Sequence, residues 1–138
     1  MTDVSPSRLV LDASAAVALL ADAGPAGEWV ATTISGATLI APDLMPFEVS
    51  NILRRHSLSG ALDPTAATLA HTDLLALTVH LYPYAAFAER VWELRENVTA
   101  YDAAYVAVAE LLAAPLVTLD ARLAHAPGVR CSMPTYPA

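Results

Sequence analysis

Short, wholly apolar runs alternate along the chain with longer stretches whose apolar residues recur every three or four positions. Leu9–Leu11 form the first run, which stops on Asp12, and Ser14–Leu20 continue as an Ala-rich helix that breaks near Gly24 and Pro25. A second helix is predicted over Ala26–Ile34 and a strand over Thr38–Ile40. "APDLMPFEVSNILRRHSL" then predicts a helix with Asp43 as N-cap and Pro46 tolerated in the first turn. Asp63 and Pro64 open another helix, on which Leu69, Leu74 and Leu77 recur. Val79–Tyr82 reads as a strand, Ala85–Arg95 and Tyr101–Ala113 as helices, and Leu116–Leu119 as a strand. A short helix follows from Asp120, and Val129–Cys131 is the candidate for a final edge strand. Strands this short and uniformly apolar, spaced by helices, predict an α/β fold: a mainly parallel sheet with helices on both faces.

Composition narrows the picture. At 138 residues with 56% hydrophobic residues, one domain over residues 1–138 with a single core is expected. The apolar stretch Leu9–Leu20 contains Asp12, and "AAYVAVAELLAAPLVTL" contains Glu110 and Pro115, so neither is expected to be a signal peptide or a membrane span. Cys131 is the only cysteine, and the four histidines are scattered, which excludes an intramolecular disulfide and zinc-type spacing and fits a reducing cytoplasm. A net charge of −7, from seven arginines, no lysine and fourteen acids, argues against a broad basic surface for nucleic acid. A phosphate-bearing partner would need help from metal ions.

Four acids stand out. Asp12 and Asp120 each follow a strand directly, at the carboxyl edge where α/β sheets bind ligands, and each could also cap the helix behind it. Asp102 falls at the third helical position after Thr99, an aspartate variant of the capping box. Glu48 shares the stripe of Leu44 and Ile52, where an unpaired carboxylate is costly, and positions 44, 45, 51 and 52 hold no cation to pair with it. Converging carboxylates repel unless something positive sits among them. Hard divalent cations prefer such oxygen donors, and a pair of them can support in-line displacement at a phosphodiester.

"LVLDASAAVALL", "PDLMPFEVSNILRR" and "TAYDAAYVAVAELLAAPLVTLD" resemble, in order and spacing, the PIN-domain ribonucleases, and most closely the VapC-type toxins of bacterial toxin–antitoxin systems. The resemblance spans nearly the whole chain and implies a PIN-like three-layer α/β/α fold. It implies that Asp12, Glu48, Asp102 and Asp120 are catalytic and metal-holding, with Ser14 and Thr118 as supporting hydroxyls. It further implies Mg²⁺ or Mn²⁺ as cofactor, RNA as substrate, a cognate antitoxin as partner and inhibitor, and a homodimer. A P-loop lysine, a G-x-G-x-x-G after the first strand and the late lysine expected of a receiver domain are all missing. The alternative is a non-catalytic PIN-like protein-binding module whose carboxylates serve only as caps.

Overall fold

The computed structural model describes residues 7–137. Four parallel strands, β1 (Arg8–Leu11), β2 (Thr38–Pro42), β3 (Val79–Tyr82) and β4 (Leu116–Val117), form one sheet in the order β3-β2-β1-β4. Leu9 pairs with Leu39, Leu39 with Val79, and Val10 with Leu116. The central strands are buried along most of their length, which is why they read as continuous apolar runs rather than as alternating ones.

Helices α1 (Ala13–Ala21) and α2 (Pro25–Ile34) connect β1 to β2, and α3 (Met45–Ser59) and α4 (Pro64–Ala76) connect β2 to β3. These crossovers advance in one direction across the sheet, so right-handedness places them together on one face, where α1 packs against α2, α3 and α4. The chain then returns past β1 through α5 (Ala88–Glu93) and α6 (Ala100–Leu111) to β4, which puts these helices on the other face. A short α7 (Ala121–Ala124) follows β4. The result is the three-layer α/β/α arrangement expected.

The α6 helix is the best-covered element on its face: Ala103 to Ala109 are all buried, and it packs on β1, β2 and β4. Four alanines in that run leave room for close approach of helix to sheet. On the other face, Gly27 lies where α1 hands over to α2. A Cβ at this position would stand 1.8 Å from the Asp22 carbonyl oxygen and 2.7 Å from that of Ala18. Only glycine fits so tight a crossing.

Four local expectations are corrected. Asp43 does not cap α3: its backbone N–H donates to the Tyr82 carbonyl at 2.9 Å, prolonging the β2–β3 pairing, and the helix starts after Leu44 without a side-chain cap. The helix anticipated over Ala85–Arg95 is divided at Phe87 (φ −138°, ψ 12°) into a 3₁₀ turn, Tyr84–Ala86, and α5. Strand β4 ends at Val117 because the Thr118 hydroxyl accepts the Asp120 N–H at 3.0 Å, which turns the chain. Val129–Cys131 forms no strand; the Leu116 N–H instead donates to the Ser132 carbonyl just beyond it.

Candidate active site

The strand order reverses between β1 and β4, because β1 is followed on one side by β2 and flanked on the other by the last strand. In open α/β sheets the ligand crevice lies outside the carboxyl ends of the strands at such a switch. Asp12 follows β1 there, Asp120 follows β4, and Asp102 enters from the first turn of α6.

Asp12 is buried, with 7% of its surface exposed. Its Oδ1 accepts the Ala15 N–H at 2.9 Å and the Ser14 hydroxyl at 2.7 Å. The Ser14 oxygen also accepts the Leu119 N–H at 3.1 Å and lies 3.5 Å from the Thr118 hydroxyl. Ser14 and Thr118 therefore stitch the end of β1 to the end of β4, next to the buried carboxylate. Burial pushes the Asp12 carboxyl above the ordinary aspartate range; bonds from Thr118, Ala15 and Ser14 oppose the shift, and Asp102 adds to it.

Glu48 has a partner that is not a cation. The Tyr105 hydroxyl donates to Glu48 Oε1 at 2.6 Å, reaching from α6 to α3. Tyr105 is itself buried, so its ring is a fixed strut rather than a mobile surface group. Burial raises the Glu48 carboxyl, the Tyr105 bond lowers it, and the Asp102 and Asp12 carboxylates raise it again. Asp102 is raised by burial and then by Asp120, against the Thr99 hydrogen bond and the Arg122 guanidinium. Asp102 and Asp12 thus bear on Glu48, Asp102 on Asp12, and Asp120 on Asp102.

The capping geometry is real as well. Asp12 accepts from Ala15 at the start of α1, Asp120 from the Arg122 N–H at 3.0 Å at the start of α7, and Thr99 from the Asp102 N–H at 3.2 Å. A capping role leaves acceptor capacity over, since a cap occupies only part of a carboxylate. Asp102 and Asp120 border an open groove of about 530 Å³, which also takes in Arg95, Thr99 and Arg122. A larger cavity of about 810 Å³ lies at the far end of α6. Its charged wall is already closed: Arg90 Nε meets Glu110 Oε1 at 2.7 Å, and Arg90 Nη2 donates to the Gly128 carbonyl at 2.6 Å.

Whether the acids suit a divalent ion can be judged from their chemistry. The donors are hard oxygens, and mutual repulsion among Asp12, Glu48 and Asp102 is the condition a cation relieves. Among the described residues no three His, Cys, Asp or Glu side chains are drawn together into a ready-made cage.

Comparison with known proteins decides the family. The PIN domain profile matches residues 9–129. The chain belongs to the PIN-domain family. Ribonuclease VapC1 of Mycobacterium tuberculosis is 40% identical to this PIN-domain chain over 125 residues, covering 90% of it and 94% of the relative. Ribonuclease VapC9 of the same organism is 37% identical over 129 residues, covering 94% and 98%. A crystal structure of M. tuberculosis VapC20, described as a Sarcin-Ricin loop cleaving toxin, superposes with a TM-score of 0.67 over 91% of this chain and 99% of that one. At 17% identity it corroborates the fold. This PIN domain therefore sits among the VapC proteins.

The sequence pattern does not single out Tyr105 or Arg122. A signal for Tyr105 is nonetheless present: it is the one polar side chain in the run Ala103–Ala109 and lies three residues from Asp102, hence on the same side of α6.

Proposed function

We propose that the chain is a metal-dependent ribonuclease toxin, hydrolysing an RNA phosphodiester without a covalent protein intermediate and held inactive by a cognate antitoxin. The observation that supports the reading is that Asp12 and Asp120 follow β1 and β4 at the switch point, with Asp102 beside Asp120 in one groove and Glu48 bonded to Tyr105 of the same α6 helix, in a chain whose relatives are named ribonucleases. Asp12 and Asp102 are the first choices for holding Mg²⁺ or Mn²⁺, with Glu48 and Asp120 completing the set. A bound divalent ion would supply an activated water and neutralise charge at the phosphate.

The protein's own residues prepare the site. Ser14 and the Ala15 N–H fix Oδ1 of Asp12, and burial strips that carboxylate of competing water. Tyr105 aims Glu48 at the cluster, where its raised carboxyl is suited to taking up a proton. Thr118 orders the turn that presents Asp120. By the same resemblance the working form is a homodimer. A basic side chain of the antitoxin standing among the carboxylates would relieve the repulsion that an ion otherwise relieves.

The test is purified protein against structured RNAs with Mg²⁺, Mn²⁺ or EDTA. Cleavage confined to the divalent ions and abolished by saturating antitoxin is expected. Tight antitoxin binding with no cleavage of any RNA would support the non-catalytic module instead.

A further inference from the structure

If the chain is a ribonuclease, the reading on which this inference rests, a polyanion has to be held at the carboxyl edge of a sheet in a protein of net charge −7. The position of each arginine is therefore informative. Arg90 is bound to Glu110, Glu93 and the Gly128 carbonyl, and the Arg130 N–H donates to Glu110. Both belong to the end of α6 eight residues from Asp102, about 12 Å along the helix. Arg8 opens β1, at the opposite rim of the sheet, and donates to the Leu112 carbonyl at 3.0 Å. Arg54 and Arg55 lie in the second half of α3, about 9–10 Å beyond Glu48, and Arg54 lines the crease between α3 and α4.

Arg95 and Arg122 are left, and both border the groove that contains Asp102 and Asp120. The Arg122 side chain is 93% exposed and meets Asp120 at 3.3 Å. Exposed pairs of this kind are held weakly, so a phosphate can compete for the guanidinium. Arg95 lies with its guanidinium carbon 4.7 Å from the centroid of the Trp92 ring, and its Nη1 donates to the Trp92 carbonyl at 2.9 Å. Trp92 is 65% exposed, a large indole in water that lies outside the core. An exposed aromatic faced by a guanidinium, one side chain away from a groove with a second arginine, is the combination that binds single-stranded nucleic acid: bases stack and phosphates pair.

We propose that the groove between Asp102, Asp120, Arg95 and Arg122 receives an unpaired RNA strand running up to the reacting phosphodiester, with one base stacked on Trp92 and Arg95 and a neighbouring phosphate on Arg122. The acids shared between the groove and the catalytic cluster make the strand continuous with the reaction site. A base in a duplex has no free face for the indole, so the strand at this point is unpaired.

The test uses the full chain carrying Asp12→Asn, so that bound RNA persists, with an unstructured fluorescein-labelled octaadenylate as probe. Arg95→Ala and Arg122→Ala should each weaken binding several-fold and make the dependence of log K on log salt shallower by about 0.7. Trp92→Ala should weaken it about 5- to 100-fold, with Trp92→Phe retaining most of the affinity. With Trp29→Phe added, Trp92 is the sole tryptophan, and its emission should be quenched by the oligonucleotide. Arg54→Ala and Arg55→Ala serve as controls and should bind as the parent does. Affinity and salt slope unchanged in all three groove variants, or lost in the α3 controls instead, would overturn the proposal. So would groove variants that bind RNA normally but no longer bind antitoxin, which would give the groove to a protein. Wild-type protein that binds the probe through Trp92 and Arg122 yet cleaves no RNA would overturn the ribonuclease reading instead.

Discussion

The Tyr105 hydroxyl donates to Glu48 Oε1 at 2.6 Å and links the helices on the two faces of the sheet. A carboxylate with no cation at helical pairing distance is thus accounted for by a phenol 57 residues further along the chain. Tyr105→Phe keeps the ring and removes the bond. It should cost about 1 kcal/mol at pH 8, because a half-buried carboxylate loses a charge-assisted donor. The cost should shrink at pH 5, where Glu48, already raised, begins to protonate. Urea denaturation at the two pH values measures the difference. An equal loss at both would mean that the phenol only fills space.

Asp12→Asn separates the two roles of that residue. Asparagine caps a helix as well as aspartate does, so thermal stability should hold, while divalent-dependent RNA cleavage should fall by at least about 100-fold. Retained activity in a folded Asp12→Asn protein would reduce Asp12 to a cap.

The pH dependence of stability has a definite sign. Asp12, Glu48 and Asp102 are all held above their ordinary values of 3.8, 4.5 and 3.8, chiefly by burial. A carboxyl raised in the native state contributes stability that is fully present below its unfolded value and is lost as pH rises through its native value. The metal-free protein should therefore melt higher at pH 5 than at pH 7.5, and Asp102→Asn should narrow that gap. A wider gap in the variant, read by calorimetry in EDTA, would refute the assignment.

Divalent ions should act against the same repulsion. An ion at 100 times its dissociation constant stabilises the native state by about 2.7 kcal/mol, which for a domain near this size raises Tm by about 5–10 °C. Sodium chloride at matched ionic strength should do much less, since it screens without coordinating. The divalent-specific shift should diminish in Asp12→Asn. A wild-type Tm indifferent to millimolar Mg²⁺ and Mn²⁺ would count against metal binding by these acids.

Gly27→Ala tests the α1–α2 crossing. The added carbon would sit 1.8 Å from the Asp22 carbonyl oxygen, a backbone atom that cannot swing aside. A loss of at least about 2 kcal/mol is expected by denaturant titration. A near-neutral effect would mean that the two helices separate freely.

The strand-end acids are legible in the sequence because parallel strands announce themselves as apolar runs, and a carboxylate directly after such a run has only the carboxyl edge to occupy. Asp12 and Asp120 follow from that pattern alone. Glu48 is legible by what it lacks; that its partner is Tyr105 depends on how α6 docks beside α3, which no local spacing encodes. Local chemistry misleads where tertiary pairing takes precedence. Asp43 has the side chain of a cap, but its N–H is engaged by β3, so the helix begins later. Val129–Cys131 has strand-like residues, but the hydrogen bond to β4 is made by Ser132 instead. At Asp12, capping and acid chemistry compete as explanations of one side chain, and the geometry serves both.

The alanines of α6 have a consequence for mutational tolerance. Ala103, Ala104, Ala107 and Ala109 set how closely that helix seats on the sheet, and the helix carries both Asp102 and the tyrosine that orients Glu48. An added methyl or two there need not unfold the protein, but it would lift Asp102 away from the other three acids and draw the Tyr105 hydroxyl off Glu48. A selection for inactive variants should therefore return substitutions at these small interior positions alongside those at the carboxylates, in proteins that still unfold cooperatively.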